Sequence, residues 1–258
     1  MKSLLSFQSQ LLQNFGRAAH RQLWLDYDGS LVPFTRRPEE AAPSPELLAI
    51  LSHLAKDDRN QIIVISGRDR GTLGQWLGGI SLDLVAEHGA FLRRPGQAWQ
   101  PFLTASLNWK ARVAESLRAV THQFEGSFLE EKEFSLVWHY REIASSIWPG
   151  EVAQIVEDLQ SHETVVYQEA CSLEVRSRGI DKGRFFKESP WRSRRSDFGL
   201  VLGDGNTDED LFKQAPQAFY TVRVGFLPGS AARYYLPLQL HVLPFLSELA
   251  ALTHTPGR

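Results

Sequence analysis

Near the N-terminus, two aspartates separated by one residue follow an apolar run. The run Leu23–Leu25 leads into Asp26, Tyr27, Asp28 and Gly29. Because side chains alternate along a strand, Asp26 and Asp28 can point into one pocket just beyond the strand's end. One carboxylate could then act as a nucleophile and the other as a general acid and base, and the pair could also bind Mg²⁺. The alternative is an Asp-Gly turn that only closes a strand.

Three later segments place polar side chains at the ends of apolar runs or at helix starts. Ser66 can hold a phosphate oxygen or simply cap the next helix. Lys182 stands at a helix start, where the dipole disfavours a cation, so it either has an anionic partner or keeps its head in water. Asp204 ends an apolar run and Asp208 begins the next helix. These acids repel one another unless a cation neutralises them, although helix starts favour acids in general.

The elements that must position these residues alternate along the chain. Strand-like runs at 22–25, 61–65 and 199–202 alternate with helical stretches at 45–56, 70–77 and 207–214. This pattern predicts an α/β fold with a parallel sheet covered by helices on both faces, and ligands bind such sheets at the carboxyl ends of the strands. The proline-rich segment 32–45 is expected to be an extended loop, and residues 1–20 an amphipathic helix.

The middle of the chain interrupts this alternation. The pattern there predicts helices at 107–124 and 150–160 and strands at 127–131, 134–140, 164–168 and 171–176. We interpret residues 106–176 as an inserted α+β cap that lies over the active site. Residues 1–105 and 177–258 would then form the core domain.

Composition narrows the class of protein. The 258 residues, 43% of them hydrophobic, can bury a sizeable core, and no apolar run is long enough to span a bilayer. The net charge of −2 argues against nucleic acid as a partner. A single cysteine, Cys171, excludes an internal disulfide and a cysteine-rich zinc site. We expect a cytoplasmic monomer without a membrane or nucleic-acid partner.

Taken in order, the four chemical segments resemble the haloacid dehalogenase-like superfamily. Its phosphatases carry D-x-D-G-[ST], then a Ser or Thr at a strand end, a lysine, and G-D-x-x-x-D. Within it the chain resembles the trehalose-6-phosphate phosphatase family, through the segments DYDGSLVP at 26–33, VISGR at 64–68, AEHGA at 86–90, SLVWHYR at 135–141, LEVR at 173–176 and GDGNTDED at 203–210. The resemblance implies a Rossmann-like core with an inserted α+β cap.

The resemblance also implies roles for the core residues. Asp26 would be phosphorylated by the substrate, and Asp28 would protonate the leaving alcohol and then activate water. Ser66 and Lys182 would hold the phosphoryl group. The implied Mg²⁺ ligands are Asp26, the backbone carbonyl of Asp28, and Asp204, with Asp208 close behind.

In the same way, the resemblance implies a sugar-binding face on the cap. Taken singly, each of its polar residues is better explained as a solvated strand residue. The implied substrate-binding residues are Glu131, His139, Arg141, Glu174 and Arg176 on strands of the cap, and Arg68 on the core. His88 is expected to be structural. The implied substrate is a sugar phosphate, trehalose 6-phosphate, and a trehalose-phosphate synthase is the expected partner protein.

Three departures from the family pattern keep alternatives open. Ala170-Cys171 stands where a Gly-Lys pair is usual, Gly205 replaces a second aspartate, and Ser30 replaces threonine. The first departure motivates an alternative substrate, another glycosyl phosphate such as glucosylglycerol phosphate. A catalytically silent regulatory module and a phosphomutase are further alternatives; the intact core residues argue against the first and the cap segments against the second.

Overall fold

The computed structural model describes residues 1–169, 171–192 and 194–253. Its strands are β1 (Lys2–Ser3), β2 (Arg21–Asp26), β3 (Asn60–Ile65), β4 (Asp83–Ala86), β5 (Phe91–Arg93), β6 (Gln100–Pro101), β7 (Phe128–Glu131), β8 (Ser135–His139), β9 (Thr164–Gln168), β10 (Ser172–Ser177), β11 (Phe198–Gly203), β12 (Tyr220–Val224) and β13 (Tyr234–Leu236). Its helices are α1 (Gln8–Arg17), α2 (Pro45–Ala55), α3 (Arg70–Leu77), α4 (Lys110–Gln123), α5 (Pro149–Leu159), α6 (Lys182–Glu188), α7 (Asn206–Gln214) and α8 (Val242–Ala251). None of these helices is both long and apolar enough to cross a lipid bilayer.

The core is built on one large sheet with the strand order β1-β13-β12-β11-β2-β3-β4-β5-β6. The pairings from β1 to β4 are parallel, and β5 and β6 add an antiparallel edge. All six residues of β2 and of β11 are buried, as expected for central strands covered on both faces. The predicted α/β fold class is confirmed.

The register of three central strands brings the chemical segments to one edge of the sheet. Leu25 of β2 is level with Val64 of β3 on one side and with Leu202 of β11 on the other. Asp26, Ser66 and Asp204 therefore come at or just beyond the carboxyl ends of adjacent strands. This is the edge at which ligands bind in parallel α/β sheets.

An aromatic cluster fixes the helix that carries Lys182 against β2. The Trp24 ring lies 4.5 Å from Phe186, 5.7 Å from Trp191 and 6.3 Å from Phe185, measured between centroids. All four side chains are buried. Aromatic pairs in such geometries contribute about 0.5–1.5 kcal/mol each beyond area burial, so the start of α6 is firmly held beside the end of β2.

The N-terminal segment differs from the prediction of one amphipathic helix over residues 1–20. Only Gln8–Arg17 is α-helical. Lys2 and Ser3 pair in parallel with β13, the Lys2 amide donates to the Arg233 carbonyl at 2.8 Å, and Leu4 is fully buried. Sheet pairing and burial of the first residues therefore override the local helical pattern. The loop 32–45 contains one 3₁₀ turn, at Pro38–Glu40.

Residues Leu103–Asp181 form a separate compact unit inserted into the core, which comprises Met1–Phe102 and Lys182–Arg258. The insert has an antiparallel sheet in the order β7-β8-β10-β9. Its own hydrophobic cluster includes Trp109, Leu117 and Trp138. The expectation that residues 106–176 act as a cap over the active site stays a prediction.

Candidate active site

Lys182 is buried between two carboxylates at the carboxyl edge of the core sheet. Its Nζ donates to Asp26 Oδ1 at 2.6 Å and to Asp208 Oδ1 at 2.8 Å, and its side chain is only 2% exposed. Burial lowers the pKa of this lysine, but the two carboxylates outweigh burial and raise the pKa above its ordinary value. The Lys182 ammonium is therefore a fixed positive charge beside Asp26. Of the two possibilities left by the sequence, Lys182 has anionic partners and does not keep its head in water.

Asp208 uses both of its oxygens to organise the neighbouring loop. While Oδ1 accepts from Lys182, Oδ2 accepts from the backbone amides of Asp204 and Gly205 at 3.1 and 3.0 Å. A side chain at Gly203 would collide with this carboxylate, because a Cβ there would come within 2.3 Å of the Asp208 carboxyl carbon. Asp208 thus positions both the lysine and the turn that presents Asp204.

The Asp204 carboxyl closes the other side of the cluster. Burial, the charges of Asp26 and Asp208, and a hydrogen bond with Asp26 raise the pKa of Asp204 to about 9. Burial and the Asp208 charge likewise raise the pKa of Asp26 to about 7, although Lys182 opposes the shift. Three acidic groups therefore share one small volume in which the lysine neutralises only part of their charge.

These carboxyl groups fit a hard cation. Asp26, Asp204 and Asp208 can each present an oxygen so that the three atoms lie within 4.8 Å of one another. Gly29 adopts a φ of +79°, and a Cβ there would come within 2.3 Å of an Asp204 oxygen, so the loop after Asp28 approaches the cluster without a side chain. Oxygen donors, negative charge and close backbone approach are the features that a Mg²⁺ site requires.

Asp28 lies beside this cluster and is held by Arg68. The arginine Nε donates to Asp28 Oδ2 at 2.8 Å and one terminal nitrogen donates to Oδ1 at 2.6 Å. The same guanidinium also donates to the Pro38 carbonyl. Arg68 therefore orients the proposed acid and base, a contact that its spacing in the sequence did not indicate. Its predicted contact with substrate stays a prediction.

The Ser66 loop is braced by an unusual turn. Ser66 is buried, and its hydroxyl accepts from the Arg68 amide at 3.0 Å. The His88 amide donates to the Ser66 carbonyl and the Glu87 amide to the Arg68 carbonyl, at 2.9 and 3.0 Å. Glu87 and His88 have φ values of 46° and 56°, a left-handed conformation that costs non-glycine residues energy. The turn thus supports the predicted phosphate-binding loop.

Within the insert, one face of the sheet carries polar side chains. Glu174 and Arg176 alternate along β10 with Leu173 and Val175, which belong to the hydrophobic cluster. Arg176 is buried, with its guanidinium carbon 4.4 Å from the centroid of the Tyr167 ring. Glu174 and Arg176 therefore point away from the cluster.

His139 and Glu130 share this polar face. His139 Nε2 lies 2.8 Å from Glu130 Oε2, and the imidazole stacks on Phe128 at 4.6 Å between centroids. Lys132 Nζ is 3.6 Å from the other Glu130 oxygen. Glu130 was missed in the sequence analysis. Its neighbour Leu129 packs on the hydrophobic cluster, and strand alternation from that leucine would have identified Glu130.

Two predicted residues lie elsewhere in the insert. Glu131 is one residue out of register with the polar face, and it forms an ion pair with Arg118 of α4. Arg141 was expected on a strand but lies in an exposed 3₁₀ turn, Arg141–Ile143. Of the Ala170-Cys171 departure, Ala170 lies outside the described residues, and Cys171 is a partly exposed free cysteine.

Comparison with known proteins decides the family. The family model described as Trehalose-phosphatase matches residues 24–229, which include every candidate site residue described above. The chain belongs to the trehalose-phosphatase family. A bifunctional trehalose-6-phosphate synthase/phosphatase of Thermoproteus tenax is 37% identical over 85% of the chain, and a trehalose-phosphatase of Saccharomyces cerevisiae is 35% identical over 79%.

The chain spans only 30% and 26%, respectively, of the lengths of these two relatives. Among solved structures, the trehalose-6-phosphate phosphatase C-terminal domain of C. albicans is similar with a TM-score of 0.86 at 28% identity, and the match covers 96% of this chain and 98% of that one. The resemblance stated from the motifs is confirmed at the level of family and fold.

Proposed function

We propose that the protein is a Mg²⁺-dependent phosphatase that hydrolyses trehalose 6-phosphate to trehalose and phosphate through an aspartyl-phosphate intermediate. The observation that carries the proposal is the buried Lys182 bonded to Asp26, with Asp204 and Asp208 around the same carboxylate. A carboxylate that attacks a phosphate dianion faces like-charge repulsion, and this arrangement supplies fixed positive charge where it is needed.

In the proposed mechanism, an Asp26 oxygen attacks phosphorus and the bond to the sugar oxygen breaks. Asp28 gives its proton to the departing alcohol, and then takes a proton from the water that attacks the phosphorus of the aspartyl phosphate. This second step releases phosphate and restores the Asp26 carboxylate. Ser66 and Lys182 hold the phosphoryl oxygens throughout.

Asp26, Asp204 and the Asp28 backbone carbonyl would hold the metal ion, and Asp208 would support the site from behind. When bound, Mg²⁺ would neutralise phosphoryl oxygens and keep them in line with Asp26. The chain's own part is to fix the nucleophile Asp26 against Lys182.

We propose that the polar face of the insert, with Glu130, His139, Glu174 and Arg176, binds the sugar hydroxyls. Carboxylates accept hydrogen bonds from hydroxyl pairs, whereas arginine and histidine donate to hydroxyl oxygens. Glu130 takes the place that was assigned to Glu131, because it shares this face with His139. A trehalose-phosphate synthase stays the proposed partner protein, since the name of the Thermoproteus tenax relative combines synthase and phosphatase.

The test is phosphate release from a panel of sugar phosphates, with Mg²⁺ or with EDTA. We expect trehalose 6-phosphate to be the best substrate, EDTA to abolish turnover, and Asp26→Asn to reduce it by several orders of magnitude. Asp158→Asn, an exposed aspartate of α5, is the matched control and should leave turnover unchanged. Preference for glucosylglycerol phosphate would favour the alternative substrate, and no release from any substrate would favour the silent module.

The acid and base role of Asp28 has its own test. Asp28→Asn should slow trehalose 6-phosphate far more than p-nitrophenyl phosphate, whose leaving group needs little protonation. The comparison uses single-turnover rates of phosphoenzyme formation, so that slow dephosphorylation does not mask the difference. Equal losses on both substrates would contradict leaving-group protonation by Asp28.

A further inference from the structure

A polar cavity lies at the edge of the core sheet opposite to Asp26. Its volume is about 380 Å³, and its lining includes Arg21 of β2, Asn60 of β3 and Asp83 of β4, each at or next to the amino end of its strand. We call it the basal cavity. β2 runs from Arg21 in this cavity to Asp26. At about 3.3 Å per residue step, it separates the two by roughly 17 Å. The proposed phosphatase mechanism uses none of its residues.

The basal cavity is rich in arginine, and two of its guanidinium groups form no hydrogen bond or ion pair with the described residues. Arg59 lines it but is bound to Asp57 at 2.7 Å. Arg94 and Arg194 also line it, and within the described part of the chain neither guanidinium forms a hydrogen bond or an ion pair. Their donors are therefore available to an anion that enters the cavity.

A buried carboxyl group lies among these arginines. Asp83 is 7% exposed, and its Oδ2 accepts from the Gln61 amide at 3.0 Å. Burial raises the pKa of Asp83, whereas the Gln61 hydrogen bond and the charges of Arg94 and Arg194 lower it. No described residue donates to its Oδ1, so one acceptor on the cavity wall is unused.

We propose that the basal cavity binds a small phosphorylated, hydroxyl-rich molecule of the sugar-phosphate class. Arg94 and Arg194 would bind its phosphate, and Asp83 would accept a hydrogen bond from one of its hydroxyl groups. The cavity volume falls within the range of small-molecule sites, about 300–1,000 Å³.

A sugar fits this lining better than a nucleotide base. Trp191 lines the cavity but is only 1% exposed, so it offers no free ring face for stacking. Among the described lining residues this leaves the imidazole of His20 as the one exposed ring. The rest of the wall is formed by amides, guanidinium groups and the carboxyl groups of Asp58 and Asp83. These groups match phosphate and hydroxyl groups. The site would thus respond to a metabolite of the same chemical class as the proposed substrate, but at a separate place.

The first experiment measures glucose 6-phosphate binding by isothermal titration calorimetry. The wild type is compared with the double variant Arg94→Gln/Arg194→Gln and with Lys187→Gln/Lys213→Gln, which removes two exposed charges elsewhere on the core. We expect the arginine variant to bind at least tenfold more weakly and the lysine variant to bind like the wild type. Equal affinity of all three proteins, or equal weakening of both variants, would overturn the proposal.

A second comparison separates the two edges of the sheet. Ser66→Ala alters the candidate active site and should leave the arginine-dependent binding unchanged; a loss of that binding in Ser66→Ala would overturn the proposal. Titrations with inorganic phosphate and with glucose test the ligand class. We expect each to bind at least tenfold more weakly than glucose 6-phosphate, whereas equal binding of phosphate would refute hydroxyl recognition. Arg94→Gln/Arg194→Gln should still release phosphate from the substrate at the wild-type rate. Phosphatase activity and binding in the basal cavity are thus measured independently, and a failure of one proposal can be told from a failure of the other.

Discussion

Replacing Lys182 by methionine tests whether this buried cation holds the acidic cluster together. The substitution keeps the length of the side chain and removes a charge that bonds Asp26 at 2.6 Å and Asp208 at 2.8 Å from a position only 2% exposed. Removing one partner of a buried ion pair costs about 3–5 kcal/mol, because the other partner is left buried and unpaired. We expect the lower end, about 3 kcal/mol, since the carboxyl groups can take up a proton.

The assay is urea unfolding of wild type, Lys182→Met and Lys187→Met, each with EDTA and with Mg²⁺. Lys187 is exposed on the same helix, so Lys187→Met controls for the loss of a lysine and should cost less than about 0.5 kcal/mol. Mg²⁺ should stabilise Lys182→Met more than the wild type, because the cation would replace the missing positive charge. Adding Asp208→Asn to Lys182→Met should recover part of the loss, as coupled partners are not additive. A loss below about 1 kcal/mol in Lys182→Met, with no extra response to Mg²⁺, would refute this reasoning.

Three further outcomes follow from the structure. Gly67→Ala should destabilise the protein by about 1–3 kcal/mol in thermal unfolding, because the added Cβ would lie 2.6 Å from His88 Nε2. Gly79→Ala is the control and should not destabilise the protein, because a Cβ there meets nothing within 4 Å. Similar stabilities of the two variants would contradict the close contact. Glu130→Gln should lower kcat/KM for trehalose 6-phosphate by the equivalent of about 1–3 kcal/mol and Glu131→Gln should not, with p-nitrophenyl phosphate unaffected by both; the reverse order would restore Glu131. Because burial raises the pKa of Asp83, the folded protein keeps a proton that the unfolded chain loses above about pH 4. The stability of the wild type should therefore fall with rising pH relative to that of Asp83→Asn. Parallel stability curves of the two proteins, from unfolding series at about pH 4 to 7, would contradict the shift.

The parts of the site that depend on sheet geometry were predictable from the sequence. Parallel strands end at one edge of the sheet. Side chains that directly follow the apolar runs, here an aspartate, a serine and a second aspartate, are therefore expected to lie together at that edge. Asp26, Ser66 and Asp204 lie at that edge. The approach of Lys182 was predicted only through motif order, because it depends on the aromatic packing of α6 against Trp24.

Other features were not predictable, for physical reasons. The bidentate pairing of Arg68 with Asp28 depends on the rotamers of two long-range neighbours, which no local pattern encodes. The choice between Glu130 and Glu131 depends on a one-residue register, and such a slip moves a side chain to the other face of the sheet. The N-terminal helix was predicted too long because the burial of Leu4 is a tertiary effect.

The two ends of the insert are bonded to each other, which gives the protein a modular construction. The Ser177 hydroxyl donates to the Ser106 carbonyl at 3.1 Å, and the Trp109 indole donates to the same hydroxyl at 2.9 Å. Chain that leaves at one point and returns at the same point can be lengthened, exchanged or deleted at little cost in loop closure, since that cost rises only with the logarithm of length. The insert could therefore be replaced by a different sequence with the same two ends, while Asp26, Lys182 and their neighbours keep their positions in the core.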